Sequence, residues 1–237
     1  MNNDTAIRAV NVHKNYGPIA ALDGLNLSLP YGQIVGLLGE NGCGKTTLLK
    51  ILAGLMYDYS GDVEIAGFTP GTESKAHVAF LPDADFLPRS ATVISLISYF
   101  NDFFTDFDTE KANDLIGFFG LDKQMKLNQM SKGMGEKVQI ALTLARNAKV
   151  FLLDEPISGV DPAARQVILD GILRGISDDS LVLISTHLIH DLEPVLDAVV
   201  MMRYGKTLLA DQVDNLRAEH QKSIDQIFRE VYSWSQH

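Results

Sequence analysis

One short loop limits what this sequence can fold into more than any other feature. The segment GLLGENGCGKTT contains the pattern G-x4-G-K-T, with Gly39, Gly44, Lys45 and Thr46 at its defining positions. The apolar run QIVGLL at 33–38 precedes it, and KTTLLKILA at 45–53 follows it with a helical pattern. Strand, glycine loop and helix in that order are the setting of a phosphate-binding loop. Glycines let the backbone curl, so that successive N–H groups converge on phosphate oxygens. The following helix adds its positive end. On this reading the nucleotide site is built from Gly39, Glu40, Asn41, Gly42, Cys43, Gly44, Lys45, Thr46 and Thr47. Lys45 reaches the β- and γ-phosphates of ATP, and the Thr46 hydroxyl is a ligand for Mg²⁺.

Elsewhere, short apolar runs alternate with helical patterns, which predicts an α/β chain with a largely parallel sheet. Strands are expected at 7–12, 25–29, 33–38, 62–65, 78–81, 150–154, 181–185 and 198–202. Helices are expected at 45–53, 131–147, 162–175 and 188–195. The early strands should pair antiparallel, because their connections are too short for a helical crossover. Residues 83–128 differ: two helical stretches, 92–104 and 108–119, are rich in Phe and contain no strand. After Gly205 come a short hairpin-like piece and polar helices at 213–220 and 224–232. The expected division is an ATP-binding core at 1–82 and 130–209, a helical subdomain at 83–129 and a helical tail at 210–237.

Apolar residues make up 46% of the chain, enough for a sizeable core. The net charge of −10 argues against nucleic acid as a partner, since neutralising phosphates needs a basic face. Cys43 is the single cysteine, so no internal disulfide can form, and a reducing compartment fits. The start MNNDTAIRAV lacks a signal-peptide pattern, and no apolar run approaches the roughly 18–20 residues that span a bilayer. The chain is therefore expected to be soluble alone and to meet a membrane only through a partner.

A second motif carries the chemistry. VFLLDEP at 150–156 is an apolar strand ending in two acids, which sets Asp154 and Glu155 at the carboxyl edge of the sheet. Asp154 would hold Mg²⁺, mostly through water, and Glu155 would polarise the attacking water as general base. An acidic turn after a buried strand is the plainer reading, disfavoured by the phosphate loop in the same chain. The run LVLIS ends in Thr186 and His187. If it lies beside the acidic strand, His187 can bond the γ-phosphate and the water; a structural histidine is equally open.

In this order the pieces resemble the nucleotide-binding subunit of ATP-binding-cassette (ABC) proteins, over about residues 5–210. Tyr16, in HKNYGPIAALDGLNLSL, matches the family's adenine-stacking aromatic. MSKGMGEK at 130–137 is similar to the signature segment, usually LSGGQ, with Met130 in place of Leu. DEPISGVD at 154–161 matches the hydrolytic strand and D-loop, ending at Asp161, and STH at 185–187 the switch histidine. The resemblance implies a P-loop NTPase of ABC type: a mixed-sheet core, an antiparallel β subdomain and a helical insert. It also implies an ATP sandwich. Ser131, Lys132, Gly133 and Met134 would close on the γ-phosphate held by a second ATPase subunit, the same or a related chain. A Ser cap and free N–H groups at a helix start make physical sense as that second anion site. SKGM and the run FFTDFDTEKANDLIGFFGLDK resemble subunits that serve ABC-2 type exporters. The permease would then be an integral membrane protein on another polypeptide, with this subunit peripheral on the cytoplasmic side.

The family usually carries Gln where FLPDADFLPRSATV has Asp83. Aspartate is shorter and charged. It can ligate Mg²⁺ directly, but it adds negative charge near the γ-phosphate, so hydrolysis is expected to be slower or differently coupled. The alternative is a solvent-facing turn acid. The Cys43 thiol is a candidate oxidation-sensitive point beside the phosphates. The Phe-rich positions 99–107 and 118–119 would either dock the permease or pack the insert's core. Two other functions stay open: a soluble ABC ATPase uncoupled from transport, and a binding-only regulatory subunit. A single cassette without sustained heptads weighs against the first; Glu155 and His187 weigh against the second.

Overall fold

The computed structural model describes residues 5–233; the ends of the first and last expected segments, 1–4 and 234–237, lie outside the described residues. β1 (Thr5–Tyr16) and β2 (Ile19–Pro30) form a hairpin, and β3 (Gln33–Leu38) runs to the glycine loop and α1 (Lys45–Leu52). β4 (Ser60–Ile65) returns to pair with β1, giving an antiparallel sheet in the order β2-β1-β4. In β2, Leu25, Leu27 and Leu29 are buried while Asn26, Ser28 and Pro30 are exposed, the alternation of a sheet with one covered face.

β3 departs from the antiparallel pairing expected of the early strands. It is central to a second sheet, pairing parallel with β7 (Leu181–Thr186) on one side and β8 (Ala198–Arg203) on the other. β5 (Val78–Leu81), β6 (Val150–Asp154) and β9 (Lys206–Gln212) complete this sheet in the order β5-β6-β7-β3-β8-β9, with β9 alone antiparallel. β6, β7 and β8 are buried along their whole length, as apolar runs covered on both faces must be. Alternate residues feed two cores. Phe151, Leu153, Val182 and Ile184 face the helical side, and Val150, Leu152, Leu181 and Leu183 face α1 and the antiparallel sheet.

Between β5 and β6 lie α2 (Val93–Phe103), α3 (Thr109–Phe118) and α4 (Lys132–Leu144). Thr92 caps α2 by accepting from Ser95 N–H at 3.3 Å, and Asp108 caps α3 by accepting from Lys111 N–H at 2.9 Å. Phe100, Phe107 and Phe119 are buried in the same core as Phe151, so the insert's apolar face is continuous with the sheet. Tyr99 and Phe103 stay exposed.

α5 (Pro162–Gly175) precedes β7. The helix expected at 188–195 is only α6 (Ile189–Leu192) followed by a 3₁₀ turn, Glu193–Val195. Pro194 lacks the N–H that would continue the α-helix. The tail forms α7 (Val213–His220) and α8 (Ile224–Ser233). Among the described residues no helix is long and apolar enough to cross a membrane.

Candidate functional site

The pairing of Leu38 with Thr186 and Met201 sets the glycine loop at the carboxyl edge of the parallel sheet, where α/β folds bind ligands. Gly42 and Gly44 have φ of +81° and +109°. A side chain on Gly44 would also run into the Ala21 carbonyl. The loop thus needs glycine there for conformation and for space. Glu40, Asn41, Gly42 and Thr46 are exposed, Thr47 is half-buried, and Lys45 is buried. The Lys45 amine spans its own loop, donating to Gly39 O at 2.7 Å and Glu40 O at 3.3 Å.

Cys43 is not the exposed thiol that its position in the loop suggests. It is 6% exposed and sits in the core beside Leu48 and Met202. Burial pushes its thiol up, against a smaller opposing influence of Lys45, so it is a poor thiolate. What it can offer the site is backbone.

β6 and β7 are neighbours, with Asp154 paired to Ser185. Ser185 Oγ donates to Asp154 Oδ1 at 2.5 Å and accepts from Glu155 N–H at 3.1 Å. Glu155 N–H also reaches Ser185 O at 3.1 Å. Glu155 itself is left-handed, with φ +52°, a conformation that costs a non-glycine residue about 1–3 kcal/mol and clusters at functional sites. Its carboxylate meets His187: Nδ1 and Oε2 are 2.8 Å apart. Burial raises the Glu155 carboxyl above its ordinary value, while His187 and Lys45 pull it down. Lys45 is therefore electrostatically part of the same site. Thr46 and Asp154 supply hard oxygen donors. Among the described residues no group of three or more His, Cys, Asp or Glu forms a metal cage. That set fits Mg²⁺, which keeps waters and phosphate oxygens in its shell.

Asp83 lies two residues past the end of β5 and is exposed, as a solvent-facing turn acid would be, yet it lines one narrow cleft with Asp154, Glu155 and Lys132. Tyr16 stands apart at the tip of the β1–β2 hairpin, 48% exposed, its ring centroid 4.7 Å from the Lys14 amine. Ser131 caps α4, accepting from Met134 N–H at 3.3 Å. A Cβ on Gly133 would meet nothing within 4 Å, so this helix start is open to approach. Lys132 is turned to its own chain, against Gly159 and 3.5 Å from Glu136. Asp161 caps α5, accepting from Ala163 and Ala164 N–H at 3.1 Å each.

The sequence reading missed Ser185 as the clasp between the two acids; only strand register reveals it. It also missed Gln139, buried in α4, which donates to Asp85 at 3.2 Å and accepts from Phe86 N–H at 3.3 Å. That amide ties the segment after Asp83 to the helix that Ser131 caps.

The ABC transporter family profile matches residues 22–158, more than half of the chain. The chain is 30% identical over 207 residues to the Nod factor export ATP-binding protein I of Burkholderia orbicola, covering 84% of this chain and 68% of that one. It is 30% identical over 241 residues to the daunorubicin resistance ATP-binding protein DrrA3 of Streptomyces coeruleorubidus, covering 96% and 75%. Its fold matches a solved ATP-binding subunit of an ABC transporter with a TM-score of 0.85, at 23% identity over 96% of this chain and all of the other. The glycine loop, the Asp154–Glu155 strand end and the His187 contact thus converge with sequence similarity, and the chain belongs to the ABC transporter family as one of its ATP-binding subunits.

Proposed function

We propose that this subunit binds Mg·ATP in a head-to-tail dimer and hydrolyses it to drive a separate membrane permease, an exporter. The observation that carries this reading is the Glu155–His187 pair, 2.8 Å apart beside Asp154 and within the influence of Lys45. Loop N–H groups and Lys45 hold the phosphates, so Lys45 exchanges its carbonyl partners for phosphate oxygens. Thr46 and Asp154 would hold Mg²⁺, which when bound would supply charge neutralisation on the phosphates. Glu155 orients and deprotonates the attacking water. His187 holds the Glu155 carboxylate in place and faces the γ-phosphate. Tyr16 stacks on the adenine.

Each chain supplies half of a site. The open N–H groups at the Ser131–Gly133 helix start suit a γ-phosphate held by a second copy or a related chain. A bacterial cassette of the same fold, with a TM-score of 0.77, was solved as a dimer. Residues 1–82 and 130–209 act as the ATP-binding core, 83–129 as the helical subdomain and 210–237 as a tail. The permease docks on the exposed aromatic side of the helical part, where Phe86, Tyr99 and Phe103 line a groove of about 530 Å³. Such an apolar patch suits a protein partner better than water, and the subunit is then peripheral on the cytoplasmic face. The name of the Nod factor export relative supports export.

The test is co-expression with tagged chain and isolation from detergent-solubilised membranes, followed by MgATP turnover. Recovery with a polytopic membrane protein and turnover lost in Lys45→Ala support the proposal. Turnover with no such protein would leave the uncoupled ATPase. Asp83 favours one further reading, a subunit that binds but barely hydrolyses, because it adds a carboxylate to the cleft that Asp154 and Glu155 line. Asp83→Gln should then raise turnover and alter its Mg²⁺ dependence; no change in either would remove Asp83 from the mechanism.

A further inference from the structure

The C-terminal helix ends beneath the glycine loop. At its start, Ile224 N–H donates to Glu193 Oε1 at 3.0 Å, and Arg217 donates to the same oxygen at 2.8 Å. Ile224 and Ile227 are buried in the helical-side core. At its far end Tyr232 is 6% exposed, stacked on Phe228 with ring centroids 4.1 Å apart. The Arg203 guanidinium lies 5.3 Å from the Tyr232 ring centroid and donates to Tyr232 O at 3.3 Å.

The Tyr232 hydroxyl donates to the Met202 carbonyl. Leu38 pairs with Met201, so Met202 lies beside Gly39, the first residue of the loop. A Cβ built on Gly39 would come 2.7 Å from Met202 O and 3.3 Å from Tyr232 Oη, and would strike Cys43 Sγ. Gly39 therefore rests on a floor made by β8, the tail and the loop's own cysteine. The turn after β8 adds a second seam: Gly205 N–H donates to Cys43 O at 3.1 Å, and Gly205 O accepts from Asp23 N–H at 3.0 Å. Packing alone asks only for the aromatic ring at 232; the hydroxyl has a single directed use. Burial holds the phenol above its ordinary value, so it stays a donor throughout the physiological range.

We propose that Tyr232 is a positioning residue for the nucleotide site: its hydroxyl fixes the Met202 carbonyl against Gly39, and so sets where the loop begins and how its N–H groups aim. It acts through Met202 and Gly39, without touching the nucleotide. The proposal rests on residues 39–47 being the nucleotide site.

The test is calorimetric titration of the full chain with MgADP, at a temperature where circular dichroism reports each variant folded. Tyr232→Phe keeps the ring and removes the donor. It should weaken MgADP about three- to tenfold, the worth of one net hydrogen bond passed on to the site. Tyr232→Ala should weaken it further. Leu216→Ala, in the buried face of α7, serves as the control for general loosening of the tail and should leave affinity within about twofold at a comparable loss of Tm. Folded Tyr232→Phe with affinity within twofold of the unsubstituted chain overturns the proposal, whatever Tyr232→Ala does. So does an equal loss in Leu216→Ala. No binding by the unsubstituted chain would instead overturn the reading of residues 39–47.

Discussion

His187 Nδ1 and Glu155 Oε2 face each other at 2.8 Å across the ends of two adjacent parallel strands. Burial raises the Glu155 carboxyl, and His187 is the foremost of the groups that oppose it. A general base must be ionised, so activity disappears as pH falls through the folded-state pKa. The acid limb of turnover should lie above pH 4.5, the ordinary Glu value. His187→Ala removes the main lowering influence and should move that limb to still higher pH while cutting the plateau roughly 10²-fold or more. Steady-state pH profiles of both proteins check this; an unmoved limb would separate the two residues.

Ser185 links both acids, donating to Asp154 and accepting from Glu155 N–H. Ser185→Ala leaves the Asp154 oxygen without that donor and should cost roughly 1–3 kcal/mol in urea unfolding. Turnover should fall and need more Mg²⁺, because Asp154 loses its fixed orientation. A stability loss with unchanged metal dependence would confine Ser185 to folding.

Gly44 and Gly42 are both left-handed, but they meet different surroundings. A side chain on Gly44 collides with the Ala21 carbonyl, whereas one on Gly42 finds nothing within 4 Å. Gly42→Ala should cost about 1–2 kcal/mol, the backbone penalty alone. Gly44→Ala should cost clearly more and abolish nucleotide binding, since α1 starts there. Paired thermal melts and MgADP titrations distinguish the two. Equal costs would show that the Ala21 contact relaxes freely.

The parts legible in the sequence are those written in local spacing. G-x4-G-K-T, the apolar run before Asp154 and the Ser131 cap each sit within a few residues of what they organise. The parallel class followed from β6, β7 and β8, whose apolar runs are buried throughout. Pairing was less legible. Short connections suggested antiparallel neighbours, yet β3 joins the parallel sheet, because the strands that pair with its two edges, β7 and β8, lie far downstream. Cys43 looked like a loop thiol, and only its orientation into the core corrects that. Ser185 and Tyr232 act across strand register and tail docking, which no local pattern encodes.

In the proposed ATP sandwich, one chain holds half a site. Glu155→Gln preserves the shape of the site and removes the proposed base. Size-exclusion chromatography with light scattering, run in saturating MgATP, should give a dimer that reverts to monomer when Ser131 is also replaced by Arg. A monomer that has bound ATP would contradict the sandwich.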